Sequence, residues 1–393
     1  MLMRILALTL ATAAVGTQTF VFAGLLIELA RDLQVTTATG GYLATAFALA
    51  YALTAPFIAL RTGQLERRRL LWMALVTVAL INLCAAWASS FTELLALRVL
   101  AGLAATLVIP VVPSTVALLF PPERRAQVLA MVMGGMVLAF LFGMPMGSLV
   151  GGLFGWRSTF VLAAVLCLIA AAGVRLALPR VASQDSMGWR VLRVGGDPQV
   201  RRLLIMTFTA FAATFCVVPY IAPVVERVIG NTRHVALAQM LVGVGAMVGV
   251  TLASRMGQVR NPGRILMRIF ICIGTTQLLY SASMLWLPGQ GLLSWAGLGA
   301  AVTLGAAGLF TLSPLIQAQL VEAAPQGRQV VMALNGSMMF LGQGAGAAIG
   351  AQVTHATSLP MLGLAGASIA ALGWLCARHL RSTTAAAAMH AAD

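Results

Sequence analysis

The sequence predicts an all-α membrane protein whose twelve transmembrane helices form two pseudo-symmetric six-helix bundles. Three observations carry that expectation: an apolar composition, one-sided clusters of arginine, and an internal repeat. Of 393 residues, 60% are hydrophobic and 9% are charged, with a mean hydropathy of +0.94. Soluble domains are roughly half apolar and a quarter charged, so this chain belongs in lipid. A helical span takes roughly 20 residues. The apolar runs exceed a barrel strand and do not alternate, so helices meet the backbone's hydrogen-bonding needs.

Runs bounded by charged or turn residues place the spans at 4–30, 38–60, 70–89, 91–119, 125–152, 156–178, 201–225, 234–254, 264–287, 291–321, 328–353 and 357–379. The start, "MLMRILALTLATAAVG", looks like a secretory leader. Its apolar run continues to Ala30, and it is read as the first span. A polar stretch at 179–200 divides the chain, giving an N-terminal bundle over 1–178, a linker over 179–200, a C-terminal bundle over 201–380 and a tail over 381–393.

All 25 basic residues are arginine, and the formal charge is +15. In a soluble protein that balance would suggest a nucleic-acid partner; here the arginines sit in clusters between apolar runs. All but Arg31, Arg98, Arg157, Arg227 and Arg233 fall on one side of the predicted topology. The positive-inside rule makes that side cytoplasmic, with both termini on it. The net charge therefore reads as orientation in a membrane, and no nucleic-acid partner is expected.

Shifting the chain by 203 positions lays Pro122 on Pro325, Arg125 on Arg328, Ala130 on Ala333, Gly143 on Gly346 and Gly147 on Gly350. All five pairs fall in the fifth and eleventh spans and the loops before them, where equivalent helices of two parallel halves should lie. In "FGMPMGSLVGG", Gly143, Gly147 and Gly151 recur every four residues and make one smooth strip, while Pro145 permits a bend. The strip is either a packing face or a gating hinge. Gly346 and Gly350 repeat it.

The stretch "LAFLFGMPMGSLVGGLFGWRSTF" resembles the fifth-helix antiporter motif of the major facilitator superfamily, in the drug:proton antiporter group of arabinose-efflux-permease-like proteins. "GTQTFVFAGLLIELARDLQVTTATGGYLATAFALAYALTAP" is similar to that group's first two helices, "RVLAGLAA" to its fourth-helix motif and "RTGQLERRRLLW" to its loop between helices two and three. The resemblance implies the major facilitator fold and a secondary active transporter of the bacterial inner membrane, exporting a small molecule in exchange for protons. Two departures stand out. Gly63 occupies a position that is usually acidic and Glu66 one that is usually glycine, so the cytoplasmic latch is expected to pair Arg67 and Arg68 with Glu66 or Glu123. Thr19 replaces a glutamate common in the first helix of relatives.

Ionisable groups inside a membrane are functional candidates by default, and no Asp, Glu or His lies near the middle of a span. The proton-coupling pair is expected to be Glu28 with Arg98, the latter carried over from the fourth-helix motif; the alternative is an interfacial charge pair that fixes helix ends. The family architecture would line the cavity from spans one, four, seven and ten. Those spans offer Gln18, Thr19, Phe22, Thr106, Phe211, Phe215, Tyr220, Thr311 and Gln317, with Asn335 and Gln343 reaching in from span eleven. Each alternatively makes an interhelical hydrogen bond or a packed ring. The set describes a neutral, aromatic-edged cavity suited to uncharged or lipophilic cargo, since an unpaired buried ion is costly. Pro110, Pro113, Pro219, Pro223 and Pro314 are expected to break helices four, seven and ten.

The competing functions are an efflux antiporter, an uncoupled facilitator of the same fold and a non-transporting membrane sensor. No cluster of nucleophile, acid and metal ligands suggests an enzyme. No cofactor is expected, and the twelve-helix unit needs no second copy.

Overall fold

The computed structural model of the protein describes residues 1–61, 65–180, 196–256, 262–324 and 328–390; Gly63, most of the linker, Pro325 and Asp393 lie outside them. The described residues form twelve helical rods in chain order: Leu2–Asp32, Thr37–Ile58, Arg67–Ala86, 91–119, Glu123–Phe154, Arg157–Ala177, Pro198–Ile229, Thr232–Met256, Gly263–Trp286, Leu292–Ala323, Arg328–Ala356 and Met361–His390. Ten are long and apolar enough to cross a membrane unaided. The fourth is split into Phe91–Ala105 and Val111–Leu119, and the eleventh is diluted by Asn335, Gln343, Gln352 and its glycines. The last rod continues across the residues read as a tail, as far as His390.

Short connections make neighbouring rods antiparallel, and side-chain bonds fix their ends. Asp32, closing the first helix, accepts from Trp156 Nε1 at 2.9 Å and also takes Arg157, at the start of the sixth. Arg68, opening the third helix, donates to the carbonyl of Leu178, just past the sixth, at 3.1 Å. Both termini therefore lie at one end of the bundle and Asp32 at the other. The lipid-facing surface is apolar, with Leu153, Phe154 and Leu176 exposed, and Trp87 and Trp286 are exposed at the end away from the termini. Tryptophan favours that interfacial depth.

The two halves repeat one packing scheme. In the first, helix one packs on five and six, two on four, and three on four and six; in the second, helix seven packs on eleven and twelve, eight on ten, and nine on ten and twelve. Adding six to each number converts one set into the other. Across the halves, helix two packs on eleven and five on eight, pairs that the same operation exchanges. This is the pseudo-twofold relation of two parallel repeats.

The glycine strip is a packing face. Gly143, Gly147 and Gly151 sit against Thr17, Val21 and Leu25 of the first helix, in step every four residues, and Gly342, Gly346 and Gly350 sit against Phe208, Ala212 and Cys216 of the seventh. Pro145 is accommodated by a π-helical turn over Ala139–Gly143, in which the Met144 N–H donates to the Ala139 carbonyl. The extra residue in that turn shifts the hydrogen-bonding frame just before the proline, where an interior ring would otherwise collide with the preceding turn. It also presses the Leu141 backbone against Gly243 of the eighth helix.

Helices four and seven break as expected, at turns that include Pro110 and Pro219, whereas Pro113, Pro223 and Pro314 lie within helices. The first helix opens at Val21–Leu25 with no proline, the fourth at 106–110, and the seventh at the 3₁₀ turn Val218–Tyr220. Pro314 lies inside a continuous tenth helix, and Pro113 and Pro223 lie within the helical pieces that follow the breaks. Ala23–Leu25 and Val218–Tyr220 are equivalent positions in the two halves, and the two turns touch.

The two glycine seams predict unequal tolerance. A Cβ on Gly346 would overlap the Ala212 carbonyl oxygen, which belongs to rigid main chain, whereas on Gly143 the severe overlap is with the Thr17 hydroxyl, which can rotate away and leaves a milder contact with Thr17 Cβ at 2.9 Å. Gly346→Ala should therefore destabilise by about 1–3 kcal/mol and lower the melting temperature of the purified protein more than Gly143→Ala does. Equal melting temperatures would contradict backbone-limited packing.

Candidate transport site

A cavity of about 70 Å³ lies midway along the rods between the two halves. The first half contributes Phe20, Met136 and Phe140; the second contributes Phe211, Phe215, Leu309, Phe310, Ser313, Met339, Phe340 and Gln343. None of these residues is ionisable. Its volume holds roughly five water molecules, less than a drug-sized ligand needs. Rings meet across the division: Phe20 on Phe215 with centroids 5.2 Å apart, Phe140 edge-on to Phe310 at 5.5 Å, and Tyr51 on Phe340 at 3.8 Å.

The sequence expectations divide here. Phe211, Phe215 and Gln343 line the cavity. The fourth helix contributes nothing to it; buried Thr106 bonds back to the Leu103 carbonyl at 2.5 Å. Thr311 donates to the Gly249 and Ala307 carbonyls, joining helices ten and eight, and Gln317 donates to Ser313 Oγ at 3.1 Å. Asn335 accepts from Thr207 at 2.7 Å, tying helix eleven to seven. Tyr220 donates to the Ala347 carbonyl at 3.0 Å, with Gly41 packed over its ring. Phe20, Met136, Phe140, Leu309, Phe310, Ser313, Met339 and Phe340 are cavity residues the sequence does not single out: span five carries no expected wall residue, and a cavity-facing phenylalanine, leucine or methionine has the same composition signature as a lipid-facing one.

Arg98 lies deep inside the first half, only 1% exposed. The expected pair with Glu28 does not form in this state: Glu28 is exposed, and Arg98 donates to the carbonyls of Gln18 at 3.0 Å and Thr19 at 2.6 Å. The break in the first helix explains this geometry, because the last carbonyls before a break have no helical donor. The guanidinium also sits between the rings of Phe22 and Phe47, 5.0 and 4.7 Å from their centroids. Flat, weakly hydrated arginine suits such stacking. Gln18 accepts a long 3.5 Å contact from Asn82 of the third helix, while the Thr19 hydroxyl bonds back to the Val15 carbonyl at 2.7 Å. These residues form a polar cluster beside the cavity. Phe47 also packs on Phe340 at 6.1 Å, linking that cluster to the cavity wall.

At the end away from the termini the halves are closed. Ser148 of helix five donates to Gln239 Oε1 of helix eight at 2.6 Å, and Gly24 is packed against both side chains. Gln352 of helix eleven donates to the Tyr42 hydroxyl at 2.7 Å, and Thr45 to the Gly344 carbonyl at 3.2 Å. One apolar cluster crosses both halves there, joining Phe22, Leu26 and Leu43 to Tyr220, Val224 and Ala347. Towards the termini the cores lie mostly within their own halves. Of the expected latch residues at that end, Arg68 bonds the Leu178 carbonyl, Arg67 is buried, and Glu123 is exposed.

The chain matches the family model described as Major Facilitator Superfamily over residues 8–347. It is 37% identical over 265 residues to a chloramphenicol resistance protein of Streptomyces lividans, covering 66% of this chain and 67% of that protein. The crystal structure of the human organic anion transporter MFSD10 superposes with a TM-score of 0.72 at 18% identity, covering 95% of this chain and 99% of that one. A bacterial homolog of the human lysosomal transporter Spinster, inward-facing and occupied, gives 0.71 at 16% identity, covering 96% of each chain. Family match, helical content and repeated six-helix packing agree, and the chain belongs to the Major Facilitator Superfamily, as a multi-pass membrane transporter.

Proposed function

We propose that this transporter exports a small neutral aromatic molecule from the bacterial cytoplasm across the inner membrane by alternating access, in exchange for protons. The observation that carries the proposal is the cavity between the halves, walled by phenylalanine and methionine and free of charge. A charged cargo would find no partner there. Chloramphenicol is neutral and aromatic, and a relative named for resistance to it supports export of that class.

On this reading both termini are cytoplasmic, and the bonded end formed by Ser148–Gln239, Tyr42–Gln352 and Thr45–Gly344 is the outer gate. Opening outward exchanges those bonds for contacts at the cytoplasmic end. The glycine seams lie within each half, so they keep helices five and eleven attached while the halves rock. Glu28 and Arg98 remain the assigned proton-coupling residues: Glu28 is exposed at the outer end, and Arg98 reports on cargo through Phe47 and Phe340. In a low-dielectric site a cation's partners set its cost, so separating Arg98 from the two carbonyls favours its meeting a carboxylate. The second reading, an uncoupled facilitator, is favoured by one observation, the absence of a carboxylate from the cavity wall.

Everted membrane vesicles containing the protein separate these readings. Radiolabelled chloramphenicol should accumulate against its gradient when the lumen is acidic, and collapsing the proton gradient should release it. Accumulation only to equilibrium would establish the facilitator, and no uptake above control vesicles would contradict export of this class.

Arg98 and Glu28 should separate structure from coupling. Arg98→Ala leaves two buried carbonyls without donors and should destabilise by roughly 2 kcal/mol or more, read as a lower melting temperature. Glu28→Gln, at an exposed site, should keep the wild-type melting temperature and drug binding but lose proton-driven accumulation. Unchanged accumulation would remove Glu28 from the coupling mechanism.

A further inference from the structure

We infer that the side-chain amide of Gln343 is the polar anchor for cargo, so that the transporter selects neutral aromatic molecules carrying a hydroxyl or amide hydrogen beside the ring. This rests on the proposed export of a neutral aromatic molecule and adds to it the chemical feature that is recognised. Gln343 is 7% exposed and lines the cavity, yet its Oε1 is buried and takes no hydrogen bond. Other amides on the same helix are engaged: Asn335 accepts from Thr207, and Gln352 donates to Tyr42.

A buried acceptor without a donor is costly, and more so away from water. The groups around Gln343 do not relieve it, because the wall is otherwise phenylalanine, methionine and leucine apart from Ser313. Ser313 accepts from Gln317 Nε2 at 3.1 Å, which leaves its own proton to donate. Helices ten and eleven thus offer one acceptor and one donor on a single wall, facing the rings of Phe20 and Phe140 from the other half. A purely apolar guest would fill the space but leave Oε1 unpaired. A guest with an O–H or N–H at the edge of its ring would pair it while stacking on the phenylalanines. A site built to hydrogen-bond a ligand group rejects the analogue that lacks it.

The test measures binding to the purified full-length protein by competition against radiolabelled chloramphenicol. The probes are chloramphenicol and two analogues, one with fluorine replacing the primary hydroxyl and one with methoxy replacing the secondary hydroxyl. Fluorine matches a hydroxyl in size but donates no hydrogen. In the wild type, at least one analogue should bind about tenfold more weakly than chloramphenicol. Gln343→Met keeps an unbranched side chain of similar shape and should bind all three within about twofold, with an unliganded melting temperature no lower than wild type. A Gln343→Met protein that keeps the wild-type preference would overturn the assignment. So would loss of that preference in Ser313→Ala alone. Should the wild type bind none of the three probes, the neutral-aromatic reading fails, and this inference fails with it.

Discussion

Where the first helix opens at Val21–Leu25, the carbonyls of Gln18 and Thr19 lose their helical donors at a depth where lipid offers no replacement. Arg98 supplies both hydrogen bonds from the fourth helix. Neither feature stands alone: the break would expose two unpaired acceptors without the arginine, and the arginine would be an unneutralised charge without the carbonyls. Phe22 and Phe47 complete the enclosure. Since Phe47 also touches Phe340 on the cavity wall, the one buried cation of this polar cluster is placed next to the space where cargo would bind. The seventh helix breaks at the equivalent place, and the two breaks touch across the pseudo-twofold axis.

The contacts in the rest of the molecule fall into hard and soft kinds. Hard contacts run along the glycine seams within each half: helix eleven meets helix seven backbone against backbone, and the glycines of helix five meet the Thr17, Val21 and Leu25 side chains of helix one. Such close contacts leave little room to rearrange, which ties each of these helix pairs together within its half. Soft contacts lie between the halves and consist of rings that can slide and a few hydrogen bonds that can be exchanged. Helix pairs two with eleven and five with eight carry both the outer bonds and the edges of the cavity. A rocking movement that breaks Ser148–Gln239 must therefore also move Phe140 relative to Phe310. Opening one end and reshaping the cavity become the same event.

Much of this was legible from the chain. The glycine spacing foretold a close helix contact because a four-residue period lies on one helical face, and the offset of 203 marked the two helices that use it. Arg98 stood out as a charge within an apolar run. The remainder was hidden for physical reasons. Val21–Leu25 contains no proline, and its single Gly24 is one glycine among many, so the break that orders the site left only a weak local signal, while Pro314 suggested a break that an otherwise well-packed helix absorbs. Phe140 faces the cavity and Phe142 faces outward, 52% exposed, although both sit in the same apolar run. Glu28 and Arg98 were matched because both are charged, and nothing in a sequence shows that main-chain carbonyls will satisfy the cation first. Gln343 could be proposed as inward-facing, but its lack of a partner could be seen only once its neighbours were placed.

The central claim is that two rigid halves rock about the aromatic cavity, closing one end as the other opens. Its most direct test is electron spin resonance distance measurement with paired labels at both ends, on a background with the five native cysteines replaced. Arg69 with Arg264 reports on the end carrying the termini, and Thr92 with Leu292 on the end closed by Ser148 and Gln239. Adding chloramphenicol should shorten one distance distribution and lengthen the other in the same sample. Two distances that stay fixed, or that change in the same sense, would contradict the account.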